Sequence, residues 1–126
     1  RASDVVARHG GEEFVILLPD TSLEDACVLA ERLRKNVEEQ RIPHSDGSLP
    51  RIVTISIGVS CCTPSSPREQ QEVDNGSILY PAMLLNTADR ALYRAKRNGR
   101  NQVAKETCGE GAVKLSLPSS TTSNAA

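Results

Sequence analysis

Aromatic side chains are nearly missing. Phe14, Tyr80 and Tyr93 are the only three in 126 residues and there is no tryptophan, so any core has to be mainly aliphatic. Net charge is −1 without a block of one sign, which removes the basic footprint that nucleic-acid binding leaves in a sequence. No apolar run reaches membrane-spanning length and no signal peptide is visible, so no membrane segment is expected. Cys27, Cys61, Cys62 and Cys108 lack CxxC spacing, and His9 and His44 lie far from them. That spacing argues against a zinc site and for free thiols in a reducing compartment, with Cys27 packing beside a helix stripe and Cys61-Cys62 as an oxidisable pair. An initiator methionine is missing too. The chain opens at Arg1 and enters a strand almost at once, as a fragment beginning inside a domain would.

What remains is ordinary for one soluble domain with a modest core, 38% hydrophobic and 25% charged, without internal repeats. Val5-Val6-Ala7 and Phe14 to Leu18 are strand-like runs joined through Gly10-Gly11, a pair that accepts the positive φ of a tight hairpin. Ser22, with Asp25 three residues on, resembles a capping box. Ala26, Leu29, Ala30, Leu33 and Val37 then recur at helical spacing until the pattern fades near Gln40 to Pro43. Residues 52–59 read as a strand, with Val53, Ile55, Ile57 and Val59 on one side. Residues 61–77 have no period and read as a long loop. A second helix is expected from about Pro81, with Leu84, Leu85, Ala88, Ala91, Leu92 and Ala95 inward and Asn98-Gly99 as its stop. Residues 101–104 add a short strand, and the Gly-, Ser- and Thr-rich end reads as a disordered tail. This order predicts an α+β fold with helices on one face of a largely antiparallel sheet.

Chemistry concentrates in Arg8-His9-Gly10-Gly11-Glu12-Glu13-Phe14. A glycine turn lets a nucleotide approach the backbone closely, and an acid beside it can ligate a hard cation such as Mg²⁺. The turn taken alone is equally a hairpin end with solvated acids. Lys96 and Arg100, four apart at a helix end, can neutralise phosphates or simply complement the helix dipole.

Four segments in the same order resemble one family. Arg8 to Phe14 resembles the loop that names the GGDEF domains, with Glu as its third letter. Thr54-Ile55-Ser56-Ile57-Gly58-Val59 resembles their central strand, Ala88 to Lys96 their AD-x-ALY-x-AK helix, and Gly99-Arg100-Asn101 their closing turn. The resemblance covers about residues 1–104 and implies a diguanylate cyclase, which condenses two GTP molecules into cyclic diguanylate. It implies a ferredoxin-like, palm-type nucleotidyl cyclase fold, N-terminally truncated here. It makes Glu12 and Glu13 catalytic acids, with Glu12 the ligand of Mg²⁺ or Mn²⁺. Gly10, Gly11, Lys96 and Arg100 become substrate-binding residues, the last two on the terminal phosphates. Arg1-Ala2-Ser3-Asp4 matches the family's RxxD product-inhibition motif, with five residues between Asp4 and Gly10, and Arg32 matches a second arginine of that site. A homodimer, each copy presenting one GTP, is the implied working unit, in the cytoplasm, with any sensor or membrane anchor upstream.

The family's N-terminal portion, with its first core strand, two helices, a metal-binding aspartate and guanine-reading groups, has no counterpart here. A partial domain over residues 1–106 followed by a tail over 107–126 is therefore expected, catalytically silent on its own. Two other classes stay open: a non-catalytic cyclic diguanylate receptor working through Arg1, Asp4 and Arg32, and a regulatory dimerisation domain.

Overall fold

A computed structural model of the chain describes residues 1–44, 51–62 and 79–108. Strand β1 (Val5–Gly10) pairs antiparallel with β2 (Glu13–Leu17), Val5 opposite Leu17 and Arg8 opposite Phe14. Helix α1 spans Leu23–Glu39. Two short strands, β3 (Pro43–His44) and β4 (Arg51–Ile52), pair antiparallel. Strand β5 (Ile57–Cys61), helix α2 (Leu79–Arg97) and β6 (Val103–Thr107) follow, with β5 and β6 parallel.

The α+β class expected from sequence is borne out, and its details differ in three ways. The strand expected over 52–59 is split: Ile52 belongs to β4, residues 53–56 form no strand, and pairing resumes at Ile57 to run on to Cys61. The last strand lies at Val103–Thr107 rather than 101–104, because Arg100 and Asn101 are still in a left-handed turn, with φ of 61 and 47 degrees. Helices also lie on both faces of the β5–β6 pair rather than on one. Residues that alternate along a strand point to opposite sides. A Cβ built on Gly58 would collide with the Ala88 carbonyl oxygen and the Leu92 amide of α2, and Ser60 Oγ donates to the Leu84 carbonyl at 2.8 Å. Ile57 and Val59 instead pack with Ala26 and Ala30 of α1. The α2 crossover between β5 and β6 is what makes the pair parallel.

Local signals held best. Ser22 caps α1, its Oγ accepting from the Asp25 amide at 3.1 Å and donating to the Asp25 carboxylate at 2.8 Å. Gly99, at φ 111 degrees, terminates α2 as expected, and the Arg100 amide donates back to the Ala95 carbonyl at 3.0 Å.

The core is thin and made of small groups. Ala26, Ala30 and Val59 are buried beneath Leu18, Leu23, Cys27, Ile57 and Val103, and Ala91 and Ala95 are 0% exposed. The expected Leu29, Leu33 and Val37 of α1 are only half-buried, whereas Arg34 is buried. The expectation of free cysteines is corrected at two positions. Cys62 and Cys108 follow directly on the ends of β5 and β6, which parallel pairing brings together with Cα atoms 5.1 Å apart, and they are joined in a disulfide. Cys27 and Cys61 are free. The tail expected over 107–126 is corrected at its start, since Thr107 ends β6 and Cys108 is disulfide-bonded; its remainder, and most of the expected 61–77 loop, lie outside the described residues.

Candidate functional site

The β1–β2 hairpin turns one residue later than its glycine pair suggests. Gly10 belongs to β1 and pairs with Glu13, leaving Gly11 and Glu12 as the two-residue turn, with Gly11 at φ 52 degrees. Gly10 does not carry positive φ; a bulge at His9 supplies the extra residue that shifts the bend. Arg8 steadies the turn by donating to the Gly11 carbonyl from Nε at 3.0 Å and from its terminal nitrogen at 2.6 Å. Glu12 therefore stands at the tip, exposed, its carboxylate without a hydrogen bond or ion pair among the described residues. Open space surrounds the Cβ positions of Gly10 and Gly11, so a ligand meets backbone there.

Glu13 is engaged. Its Oε1 lies 2.9 Å from Lys96 Nζ, across 83 residues of sequence. That hydrogen bond, then the lysine's charge, holds the Glu13 carboxyl below the usual carboxylate range; desolvation opposes the shift weakly and His9 adds to it. Arg100 follows Lys96 by four residues, its side chain exposed and without a hydrogen-bond or ion-pair partner among the described residues. The hairpin acid and the basic end of α2 thus meet, although nothing in the motif spacing alone required it.

The other expected cluster also converges. Arg1, Asp4 and Arg32 line one cleft of about 480 Å³, together with Leu18, Thr21, Asp25, Val28 and Leu29. Asp4 Oδ2 accepts from the Arg1 α-amino group at 3.1 Å, while its Oδ1 is buried with no partner among the described residues. An unsatisfied carboxylate oxygen beside an exposed guanidinium is chemistry suited to a ligand bearing both N–H donors and an anion.

Residues 1–102 match the family model for the diguanylate cyclase GGDEF domain. The chain belongs to the GGDEF family. It is 41% identical over 103 residues to diguanylate cyclase A of Treponema denticola, an alignment covering 82% of this chain and 24% of that protein. It is 42% identical over the same length to the response regulator PleD of Caulobacter vibrioides and to the probable diguanylate cyclase DgcT of Escherichia coli, covering 82% of this chain and 20% of each. The chain thus spans about a fifth to a quarter of the curated relatives it matches.

In this GGDEF chain Glu12 offers one free carboxylate, and Mg²⁺ is commonly held by one or two carboxylates together with substrate phosphates and water. Glu12 fits that part. Among the described residues no group of three or more His, Cys, Asp or Glu is placed to hold an ion, so the remaining oxygens have to come from elsewhere.

Three contributors escaped sequence reasoning. Arg8, read only as a letter of the motif, is the group that fixes the turn. Arg34 continues the buried stripe of Ala26 and Ala30, and its companions Glu31 and Glu38 at helical spacing were the available signal. Asn101, placed just after a glycine stop, carries a set of side-chain contacts that no local pattern announces.

Proposed function

We propose that the protein containing this chain is a diguanylate cyclase, converting two GTP into cyclic di-GMP and two pyrophosphates. The Glu13–Lys96 ion pair supports this reading above all, because it joins the acidic hairpin to the basic helix end. In each of two steps a ribose 3′-oxygen bonds to an α-phosphorus, the bond to pyrophosphate breaks, and the hydroxyl proton leaves to solvent or a carboxylate. Lys96 and Arg100 neutralise the charge that accumulates on the departing pyrophosphate. Gly10 and Gly11 let the nucleotide lie against the turn, and Glu13 orients the reacting groups from beside it. Glu12 would hold Mg²⁺ or Mn²⁺, which when bound activates the attacking oxygen and screens developing charge.

Two copies, each presenting one GTP, form the working homodimer, and cyclic di-GMP returns as an inhibitor at Arg1, Asp4 and Arg32. A GTP-consuming domain works in the cytoplasm; among the described residues no helix is long and apolar enough to cross a membrane. Residues 1–106 make up the GGDEF portion, and the described residues among them supply too few metal ligands for turnover. The second reading, a non-catalytic cyclic di-GMP receptor, draws support from the orphaned Asp4 oxygen. A regulatory dimerisation domain is the third.

Glu12→Ala in the full-length protein is the test, read as cyclic di-GMP formed from GTP and Mg²⁺. A fall of about 100-fold or more with unchanged melting supports the cyclase. Unchanged turnover overturns the role of Glu12, and absence of turnover in the unaltered protein leaves the receptor, which cyclic di-GMP titration against Arg32→Ala then decides.

A further inference from the structure

The turn after α2 is held by a cluster that the chemistry above leaves unused. Gly99, Arg100 and Asn101 carry positive φ in succession, at 111, 61 and 47 degrees. Two consecutive non-glycine residues in this region persist only where their surroundings over-determine them. Asn101 supplies that restraint. Its Nδ2 donates to Glu38 at 2.7 Å, its Oδ1 accepts from Arg34 at 2.7 Å, and its amide donates to Ser56 Oγ at 3.1 Å. Arg34 is 9% exposed and is itself fixed by Glu31 at 2.7 Å and Glu38 at 2.8 Å. One short side chain thus ties the turn to α1, while its backbone ties it to the segment ahead of β5.

The residue type is specified by these partners. Asparagine tolerates the left-handed region and offers one donor and one acceptor at the same short reach. Aspartate would set a second negative charge against Glu38. Glycine would keep the backbone but leave a buried guanidinium and a carboxylate short of a partner.

Between Gly99 and Asn101 stands Arg100, its side chain exposed and without a partner among the described residues. We propose that Asn101 is a positioning residue: held by Arg34, Glu38 and Ser56, it locks the left-handed turn so that the Arg100 guanidinium is presented to the terminal phosphates of a nucleoside triphosphate. This rests on the reading of Lys96 and Arg100 as the triphosphate grip.

Affinity of the full-length protein for a non-hydrolysable GTP analogue and for GMP, measured calorimetrically with Mg²⁺, tests it. Arg100→Ala weakens the analogue by about tenfold or more and leaves GMP unchanged. Asn101→Gly, which retains the turn's backbone freedom, weakens the analogue by about fivefold to tenfold, spares GMP, and adds nothing in the Arg100→Ala background. Ser56→Ala, the milder change if Asn101→Gly unfolds, gives the same phosphate-dependent pattern at about threefold. Equal loss for GMP and the analogue, an unaltered analogue affinity in Asn101→Gly, or full additivity with Arg100→Ala overturns the positioning role. An Arg100→Ala protein that binds the analogue normally refutes the triphosphate grip instead.

Discussion

The β1–β2 hairpin and the β5–α2–β6 unit draw on similar aliphatic residues and end in opposite environments. In the hairpin, Val5, Val6, Ile16 and Leu17 are exposed on both faces and Phe14 is 66% exposed. In the second unit, Ala91 and Ala95 are fully covered and Gly58 lets a helix backbone press onto a strand. Composition therefore does not determine which region packs; available partners do. Gly10, Gly11, Glu12 and Glu13 sit on the uncovered region, and the Glu13–Lys96 pair joins it to α2 of the covered one.

That contrast can be broken at several points. The largest effect is expected at the disulfide. Reducing Cys62–Cys108, which spans 46 residues, removes up to about 4 kcal/mol by chain-entropy reasoning. Urea unfolding of this chain with and without reductant measures it, and identical midpoints would take the disulfide out of the stabilising set. Gly58→Ala comes next. A methyl group there meets helix backbone that cannot step aside, so a loss of about 3 kcal/mol is expected in the same assay. Phe14→Ala probes the other region, and a change within about 0.5 kcal/mol is expected for so exposed a ring in this chain. A loss of several times that size would show the hairpin packed and erase the contrast.

The smallest effect is a titration. Glu13 has its pKa lowered below 4.5 by Lys96, so the ion pair contributes above the ordinary carboxylate range and is lost as pH falls through the folded value. A carbon-detected NMR titration of Glu13 should give a midpoint below 4.5, moving back toward that value in Lys96→Met. An identical midpoint in both proteins would dissolve the link between hairpin and helix.

Much of this was legible before any coordinates, and the division follows contact range. Ser22 with Asp25, the helical spacing of Ala26 to Val37 and the Gly99 stop are signals carried within a turn or two of chain; the cap, the helix and its end appear where expected, while only Ala26 and Ala30 of the stripe are buried. The run Ile52 to Val59 reads as one strand and is split because alternation reports side-chain polarity, not whether a neighbour exists to pair with residues 53–56. Parallel pairing of β5 with β6, and with it the meeting of Cys62 and Cys108, depends on a crossover helix that alternation within either strand cannot encode. Among the site residues, the hairpin acids were legible from their glycines, yet the bend moved to Gly11-Glu12 because of the His9 bulge. Arg34 was hidden because a charged residue on a helix ordinarily reads as solvated.

Among the described residues, the one side-chain hydrogen bond from the hairpin to the rest of the chain is that between Glu13 and Lys96. Both side chains of that pair are exposed, and exposed ion pairs hold weakly. An anion drawn to the Lys96 ammonium would compete with Glu13 for it, so one exposed contact sets how firmly the loop tip is tied to α2.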